Sequence, residues 1–420
     1  MFCGACLRDN ALVNALRAQG HSVVMAPMYL PLTLEEADPT EGTRIFFGGI
    51  NVYLEQQSAF FRTSPAWFHR MLSAPALLDL AAGFAGKTRA EELGALTISM
   101  LRGEDGNQAR ELDDLIPWLK SEKPDVICLS NSLLSGIARR IKAEVRAPVI
   151  CSLQGEDYFL DALPAEDRTT AWQVAAEKAA DLDFLVAPSQ YYANLMSARL
   201  NVPAGRMKVV YNGINLDGYG APEPVNSGPP VIGFFARMCR DKGIDLIVNA
   251  FIRLKKRPGL ENVKLRVGGS CGPLDQLVVD ELRETLKTHD LIGDAEFCPN
   301  LTRAQKLDFL RSLTVFSEPA RQPEAFGLPV IEAMAAGIPV VQPDQGAFPE
   351  LIERTGGGQL YRTGDMESLI DTLEIFLRAP HQARAMGAIA QTAVRHRFNS
   401  AVMAAEFAKV CAEAARNFRS

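Results

Sequence analysis

The chain has 420 residues, which at about 150 residues per domain predicts two to three domains. Lys and Arg number 44 against 50 Asp and Glu, and the net charge of −6 argues against a nucleic-acid groove as the main function. Apolar residues make up 47% of the chain, which excludes intrinsic disorder, and every apolar run is shorter than the roughly 18 residues that span a bilayer.

The first ten residues, MFCGACLRDN, lack a basic segment followed by an apolar one, so we expect no signal peptide. Eight cysteines are spread through the chain, and Cys128 and Cys151 stand in apolar runs, where buried thiols are common. This pattern predicts a reduced, cytoplasmic protein, with peripheral contact at the inner membrane face left open. Cys3 and Cys6 form a C-x-x-C motif that fits a redox pair or half of a zinc site. No second ligand cluster accompanies the motif, and we assign it no role.

The first half of the chain alternates apolar runs with amphipathic stretches, which is the pattern of parallel strands with crossover helices. It begins with a helix ended by Gly20, a strand (HSVVMAP) and a hairpin turning at Gly48 and Gly49 (RIFFGGINVYL). After a mixed region at 56–118, four further strands are predicted in PDVICLS, APVICSL, DFLVAPS and MKVVYNG.

The first predicted element is a helix, whereas a doubly wound domain needs a strand before it. We therefore expect the first strand of the N-terminal sheet to be missing from this sequence. Either Met1 is not the natural start or the chain folds with a defect. In the first case the gene encodes an apolar run of about five to seven residues and a glycine-rich turn just upstream.

Residues 219–230, YGAPEPVNSGPP, have the composition of a linker. The alternation then restarts with VIGFFAR, VKLRVGG, AEFCP, LTVFSEP, PVVQP and GGQLY, and two helix starts are marked by a Thr302–Gln305 capping box and by Asp365. We predict two doubly wound α/β domains, an N-terminal one at 1–218 and a C-terminal one at 231–397. A last helix at 398–420 would pack back toward the first domain. Ligands of such folds bind at the carboxyl ends of the strands, here in the cleft between the domains.

The stretch EPARQPEAFGLPVIEAMAAGIPVV, residues 318–341, places Glu324 in a loop and Glu332 about one turn into the following helix. Three peptide N–H groups point out of the start of this helix, those of Phe326, Gly327 and Leu328. Such a helix start binds anions, and carboxylates beside it suit recognition of sugar or ribose hydroxyls. The alternative is a surface loop that leads into a core helix, with Glu332 solvated.

A second stretch, GFFARMCRDKGIDLIVNAF, places three cations in the loop after a strand: Arg237, Arg240 and Lys242. At the carboxyl end of a strand they lie where a phosphate would bind. Arg237 can clamp a diphosphate with its forked head, and Lys242 adds a point charge. The alternative is a solvated basic loop.

Both stretches resemble motifs of the retaining GT-B glycosyltransferases of glycosyltransferase family 4. ARMCRDKGIDLIVNAF is similar to the family's G-R-x-x-x-x-K-G-x-x-x-L-x-x-A-F segment, and PEAFGLPVIEAMAAGIPVV to its E-x7-E motif. VVYNGINLDGY, LVAPSQYYANLM, VGGSCG and FCPNLTRAQKLDFL resemble further segments, and the similarity is clear over residues 120–400.

The resemblance implies a role for each matching residue. Arg237 and Lys242 would hold the donor diphosphate, Glu324 the hydroxyls of the transferred sugar, and Glu332 the ribose hydroxyls. Further donor contacts are implied for Phe326, Gly327, Leu328, Gly268 and Gly269, and Gly4 would lie in a glycine-rich loop facing the donor phosphates and the acceptor. The chain has Gln154 where the family often has histidine, and Gln154 can hydrogen-bond a sugar hydroxyl but cannot donate a proton as an acid.

The expected activity is retaining transfer of a sugar, of hexosyltransferase type, from a nucleotide-diphosphate sugar to a glycan, lipid or small-molecule acceptor. Neither metal nor cofactor is expected, because Arg237, Lys242 and backbone amides would meet the charge on the leaving group. Donor base, sugar, acceptor and oligomeric state stay open. Two alternatives remain, a sugar-nucleotide epimerase or phosphorylase on the same fold and a non-catalytic sugar-nucleotide-binding protein. A phosphorylase would need a pyridoxal lysine, for which no matching segment is present.

Overall fold

A computed structural model describes residues 4–28, 43, 45–47, 49–57, 61, 90–220 and 228–419. The chain divides into two compact units. Ala5–Tyr211 and Ala404–Ser420 form the N-terminal unit, and Asn212–Met403 form most of the C-terminal unit. The residues singled out above that lie outside the described ranges are Met1, Cys3, Gly48 and positions 221–227 of the predicted linker.

The N-terminal unit contains a four-stranded parallel sheet in which strands that follow one another in the chain are neighbours. Its strands are β1 (Ile127–Leu129), β2 (Val149–Ser152), β3 (Phe184–Ala187) and β4 (Met207–Val209). Every residue of β2 and β3 is buried, as expected for central parallel strands, which are covered on both faces. These are the four strands that the sequence predicts after residue 118, and the structure confirms them.

The helices described in the N-terminal unit, in chain order, are α1 (Gly4–Ala18), α2 (Gly49–Gln57), α3 (Ala90–Arg102), α4 (Glu111–Glu122), α5 (Ala138–Val145), α6 (Glu156–Asp161), α7 (Ala165–Ala179) and α8 (Gln190–Arg199). The predicted helix that Gly20 ends is α1, and Gly20 has the left-handed φ of +88° that favours glycine after a helix.

The C-terminal unit contains a six-stranded parallel sheet with the order β10-β9-β8-β5-β6-β7. Its strands are β5 (Val231–Phe235), β6 (Lys264–Gly269), β7 (Ala295–Pro299), β8 (Val315–Phe316), β9 (Val340–Pro343) and β10 (Gly358–Tyr361). The chain builds outward from β5 on one side and then returns to add β8 on the other side. This reversal between β5 and β8 is the topological switch point of a doubly wound sheet.

The helices of the C-terminal unit are α9 (Ile244–Leu254), α10 (Pro273–Thr288), α11 (Arg303–Arg311), α12 (Leu328–Ala335), α13 (Phe348–Thr355), α14 (Met366–Arg378) and α15 (Pro380–Arg397). The predicted start signals are confirmed, since Thr302 and Gln305 form a capping box before α11 and Asp365 accepts the Ser368 N–H at the start of α14. Helix α9 fixes the loop after β5, because its inner face is fully buried through Ile244, Ile247, Val248 and Phe251.

The predicted hairpin near the N-terminus is wrong, because its second half, GINVYLEQQ, forms helix α2. Buried positions in α2 include Asn51, Val52 and Glu55, which have the three- and four-residue spacing of a helix face. The apolar residues of the same stretch also alternate, and this short run of alternation was compatible with a strand.

The predicted strand HSVVMAP is also wrong. Residues 21–27 have no regular structure, and Met28 makes a single parallel bridge to Phe46. Val24 is half exposed. A strand needs a hydrogen-bonded neighbour along its length, and the described residues supply one only at Met28.

The last helix, α16 (Ser400–Arg419), continues from the C-terminal unit into the N-terminal unit. Glu413 accepts a 2.7 Å hydrogen bond from Lys208 of β4, and the Arg8 guanidinium lies over the Phe407 ring. The first two residues of the predicted linker are also bound to a helix, because Arg395 of α15 donates to the carbonyl groups of Tyr219 and Gly220. The domain bounds given above stay a prediction.

Candidate functional site

The predicted donor-site residues of the C-terminal unit lie in the loops that leave β5 and β8. These strands are paired at the switch point, with Gly233 opposite Phe316. A short 3-10 turn, Arg240–Lys242, follows β5, and the loop carrying Glu324 follows β8. Because crossover helices diverge on either side of this point, the carboxyl ends of β5 and β8 are where a doubly wound sheet binds ligands.

Lys242 joins the two predicted motifs. Its ammonium group contacts the carboxyl group of Glu324 and lies 3.4 Å from Oε1 of Glu318. The side chain of Glu318 is 1% exposed and that of Glu324 is 22% exposed. One ammonium group therefore serves two carboxyl groups, of which Glu318 is the more deeply buried.

The pKa values of Lys242 and Glu318 are both raised above their ordinary values. Burial lowers the pKa of Lys242, but the charges of Glu318 and Glu324 outweigh it, and the pKa lies above its ordinary value. Burial raises the pKa of Glu318 to about 8, and the charge of Glu324 adds to this while Lys242 opposes it. Lys242 therefore stays charged at neutral pH, whereas Glu318 favours its neutral form.

Arg237 is oriented by a carboxylate that the sequence did not single out. Its Nε donates to both carboxyl oxygens of Asp275, each at 3.1 Å, while half of its side chain is exposed. Asp275 is buried and also accepts the N–H of Gly272 at the start of α10. This contact uses Nε, and none of the described residues accepts a hydrogen bond from the two terminal nitrogens.

Arg240, the third cation of the predicted loop, is committed to other partners. Both oxygens of Glu281 accept from its Nη2 at 2.6 Å, and Asp245 lies 3.4 Å from Nη1. Arg321 forms a bidentate pair with the same Asp245 at 2.7 Å. The structure thus separates Arg240 from Arg237 and Lys242, which the sequence grouped together.

The Glu324 loop is fixed by the turn after β9. The N–H of Ala347 donates to the carbonyl of Glu324 at 2.9 Å. Gly346 has a φ of +63°, and a Cβ on it would lie 2.5 Å from the Glu324 nitrogen. A glycine is therefore required where these two loops touch.

The start of α12 offers unused hydrogen-bond donors. Gly327 has a φ of +104° and precedes the helix, and Pro329 occupies its first turn. Among the described residues, none accepts from the backbone N–H groups of Phe326, Gly327 and Leu328. A helix start with free N–H groups binds anions.

Glu332 lies in the second turn of α12, with its side chain 16% exposed. Its Oε1 accepts a 2.8 Å hydrogen bond from Lys306, whose own side chain is 4% exposed. The alternative of a solvated Glu332 therefore does not hold, while its contact with a ribose stays a prediction. The buried lysine fixes one of the two carboxyl oxygens of Glu332.

The two glycines at the end of β6 are required by packing. A Cβ on Gly268 would lie 2.8 Å from the Phe235 ring. Gly269 has a φ of +133°, and a Cβ there would lie 1.7 Å from the Ala236 carbonyl oxygen. Their contact with a nucleotide stays a prediction.

In the N-terminal unit, Gln154 follows β2 and donates to Oδ1 of Asp9 at 3.0 Å. Asp9 also accepts from Arg8 at 2.7 Å, and burial raises the pKa of Asp9 against the effect of that cation. Gly4, the other predicted residue of this region, is the first residue of α1, the helix that carries Arg8 and Asp9.

A buried carboxylate fixes the loop that holds Gln154. Glu156 accepts the backbone N–H groups of Ser132 and Gln154 at 2.8 Å and of Gly155 at 3.0 Å. The Tyr192 hydroxyl donates to it at 3.1 Å. Burial raises the pKa of Glu156, and these hydrogen bonds act in the opposite direction. Gln154 is therefore positioned by a network and is not a loose surface amide.

Sequence reasoning missed five of these residues, namely Glu318, Asp275, Gly346, Asp9 and Glu156. Glu318 is a charged residue two positions after a short apolar run, which is too general a pattern to single it out. Asp275 and Asp9 lie within helices, where a carboxylate usually indicates a solvated face, and only the fold brings them to their partners.

In the described part of the chain, none of the helices combines the length and apolar composition needed to cross a bilayer. Within the same ranges, no three His, Cys, Asp or Glu side chains form a group that could bind a metal ion. Seven cysteines are described, and all are free thiols.

Two family models match the chain. Residues 8–213 match the glycosyl transferase 4-like domain, and residues 220–393 match glycosyl transferases group 1. The chain belongs to the group 1, or family 4, glycosyl transferases. Together the two matches take in both units and every residue of the candidate site except Gly4.

Curated relatives are similar over parts of this group 1 chain. The mannosyltransferase LpsB of lipopolysaccharide core biosynthesis in Rhizobium meliloti is 34% identical over 151 residues, 35% of this chain and 41% of LpsB. A phosphatidyl-myo-inositol mannosyltransferase of Mycolicibacterium smegmatis is 34% identical over 132 residues, 31% of this chain and 33% of the relative. The chain thus spans a third to about two fifths of the length of these two relatives.

Among solved structures, Alr3699/HepE of Anabaena in complex with UDP matches with a TM-score of 0.63 at 20% identity. The match covers 74% of this chain and 84% of that chain. At this identity the likeness concerns the fold alone. Together with the two parallel α/β sheets, it confirms the predicted GT-B fold class of the group 1 chain.

Proposed function

We propose that this group 1 chain is a retaining glycosyltransferase that moves a sugar from a nucleoside-diphosphate sugar to a hydroxyl group of an acceptor without a metal ion. The observation that carries the proposal is the pairing of Lys242 with Glu324 at the switch point, in the loop that leads to the free N–H groups of α12. Cations and free amides suit a diphosphate, and carboxylates suit sugar hydroxyls. The Alr3699/HepE structures contain UDP and UDP-glucose, which supports a donor of this class.

The difficult step is the departure of the nucleoside diphosphate, on which negative charge develops. In the proposed site Lys242 and the terminal nitrogens of Arg237 would meet that charge, together with the amides at the start of α12. Groups that are already oriented stabilise the developing charge without a cost of reorganisation at the moment of reaction. Asp275 would supply this orientation for Arg237.

The two carboxylates would position the donor. Glu324 would accept hydrogen bonds from hydroxyls of the transferred sugar, and the Glu332 oxygen not used by Lys306 would accept from the ribose. Fixing the sugar relative to the acceptor converts a bimolecular reaction into an intramolecular one, which contributes to the rate. Retention would follow from attack on the face that the diphosphate leaves, and we name no protein nucleophile.

The acceptor side rests on the N-terminal unit, where Gln154 and Asp9 form a half-buried pair just after the end of β2. Polar side chains at the carboxyl ends of strands suit a hydroxyl-rich acceptor. LpsB and the phosphatidyl-myo-inositol mannosyltransferase act, by their names, on lipopolysaccharide core and on an inositol lipid. We therefore propose an acceptor with sugar or cyclitol hydroxyls and a protein that works at the cytoplasmic membrane face.

The test is incubation with a panel of donors that begins with GDP-mannose and UDP-glucose, with inositol and glycolipid extracts as acceptors. The readouts are release of nucleoside diphosphate and the anomeric configuration of the product by NMR. We expect release that depends on the acceptor and a product with the donor's configuration. Binding of UDP and GDP is measured in parallel by calorimetry.

Glu324→Gln is the informative variant, and Glu353→Gln, on an exposed position of α13, is its matched control. We expect the first to lose transfer and the second to retain it. A changed sugar nucleotide without an acceptor would indicate an epimerase instead. If no nucleotide or nucleotide sugar binds, the proposal fails.

A further inference from the structure

Glu318 is a buried carboxyl group to which the proposed reaction gives no role. It lies two residues after the end of β8 at the switch point, and its backbone N–H donates to Oε1 of Gln342 at 3.3 Å. Its Oε1 lies 3.4 Å from the Lys242 ammonium. Its Oε2 has no hydrogen-bond partner among the described residues, and the same holds for two buried neighbours, Ser317 Oγ and Gln342 Nε2.

The charges around Glu318 do not balance when every group is ionised. The turn after β5 contributes Lys242, the loop before α12 contributes Glu324, and β9 contributes the neutral Gln342. The nearby Arg240 and Arg321 are paired with Glu281 and Asp245. Two carboxylates and one ammonium leave one uncompensated negative charge at a buried position, which is unfavourable. A single proton removes it, and the more buried of the two carboxyl groups is the favoured place for it.

We propose that Glu318 holds this proton on Oε2 and acts as a positioning residue for Lys242, and that binding of a nucleoside diphosphate is coupled to proton uptake at Glu318. This inference rests on the proposed function, because the diphosphate is taken to bind beside Lys242. The bound anion adds negative charge next to the ammonium and so raises the affinity of Glu318 for a proton from solvent. With Glu318 neutral, the ammonium is shared between Glu324 and the diphosphate alone. Burial already raises the pKa of Glu318 to about 8, so the coupling falls in an accessible pH range.

The first experiment needs no ligand. Infrared spectra of the wild-type protein and of Glu318→Gln are recorded between pH 6 and pH 10, and their difference isolates the carboxyl group of residue 318. We expect a protonated-carboxyl band at pH 6 that disappears with a midpoint near pH 8. A carboxylate band alone throughout this range would overturn the proposal.

The second experiment measures the coupling. Binding of UDP and GDP is followed by calorimetry at pH 8 in two buffers of different ionisation enthalpy. We expect the wild type to take up about half a proton per nucleotide, and its dissociation constant to rise up to about tenfold per pH unit above pH 8. Glu318→Gln should bind without this uptake and with an affinity independent of pH between 7.5 and 9. Absence of proton uptake by the wild type would overturn the coupling whether or not the variant folds.

Glu281→Gln is the matched control. Glu281 is exposed on α10 and pairs with Arg240, which lies in the same turn as Lys242. This variant should retain the proton uptake of the wild type, and a loss equal to that of Glu318→Gln would contradict the assignment to Glu318. If neither nucleotide binds the wild type, the proposed function fails and the coupling fails with it, while the infrared band still decides where the proton lies.

Discussion

Lys242 connects two segments that are 82 residues apart in sequence. The sequence predicts each segment separately, and the resemblance to a known family implies that both face the donor. The sequence does not predict that Lys242 contacts Glu318 as well as Glu324. A carboxylate after an apolar run has no distinctive spacing, and its burial is decided by the packing of β8 between β5 and β9.

Removal of either proposed phosphate ligand should reduce turnover while the fold stays intact. We expect Lys242→Ala and Arg237→Ala each to lose on the order of 10²–10³ in turnover, as for the removal of one donor from an oxyanion site. The Lys242 substitution should also lower stability, since it leaves Glu318 and Glu324 without their cation. Steady-state kinetics and thermal unfolding measure the two effects separately.

Lys287→Ala is the control for both variants, since Lys287 is exposed on α10 and pairs with Glu284 one turn away. It should leave turnover and unfolding at wild-type values. Near-wild-type turnover in both site variants would remove the diphosphate assignment.

The stability of the protein should depend on pH through Glu318. Its folded pKa of about 8 lies above the unfolded value of about 4.3, so the folded state binds the proton more tightly. The resulting stabilisation is complete when the pH is below the pKa of the unfolded state. It is lost as the pH rises through the pKa of the folded state. Glu318→Gln stays neutral and lacks this loss. We expect its stability relative to wild type to rise by up to about 4 kcal/mol between pH 5 and pH 9.

Urea unfolding at a series of pH values checks this expectation. The free energy of unfolding of Glu318→Gln, relative to that of the wild type, should increase steadily as pH rises from the unfolded to the folded pKa. If the difference in free energy of unfolding between the two proteins is constant from pH 5 to pH 9, residue 318 does not change its protonation on unfolding.

At the scale of elements, the sequence predicts the C-terminal unit well because its signals are local. Buried parallel strands are short continuous apolar runs, and caps such as Thr302 with Gln305 mark where helices begin. Prediction failed at α2, where helical and strand periodicities overlap within nine residues, and at HSVVMAP, where strand formation depends on a neighbour that local sequence does not specify.

The contact between the Glu324 loop and the turn after β9 can be tested with a matched pair of glycines. Gly346 and Gly364 both have left-handed φ values, +63° and +77°. A Cβ on Gly346 would clash with the Glu324 backbone, whereas a Cβ on Gly364 would have none of the described residues within 4 Å apart from its chain neighbours. Substitution by alanine costs roughly 1–2 kcal/mol at either site from backbone conformation.

Only Gly346→Ala should also displace Glu324. We expect it to lose at least tenfold in turnover, because a shift of about 1 Å in a positioning group is costly, while Gly364→Ala keeps its activity. Kinetics and thermal unfolding of both variants provide the comparison. Equal activity in the two would show that the Glu324 loop tolerates the change.

At the scale of the whole molecule, the alternation of strands and helices predicts two α/β domains, and the structure confirms the GT-B fold class. The candidate donor site was predictable because most of its residues come from two motifs within one unit. The acceptor region was predictable only in part, since the resemblance points to Gln154, whereas its contact with Asp9 joins residues 145 apart in sequence and is set by the fold.

Charge compensation across the molecule leads to the last prediction, that transfer continues in the presence of a chelator. A metal-dependent transferase uses a divalent cation to neutralise the diphosphate, and this needs carboxylates that are free to bind the cation. Of the two carboxyl groups beside the proposed diphosphate site, Glu324 is paired with Lys242, and Glu318 is neutral in our proposal, so neither is free to bind a divalent cation. Arg237 and the amides of α12 supply further positive potential, so the leaving group is neutralised by the chain itself.

We expect desalted protein to show the same initial rate with an excess of EDTA over trace metal as with added magnesium. If EDTA abolishes transfer and magnesium restores it, Lys242 and Arg237 do not suffice for the leaving group, and the metal-independent mechanism is wrong.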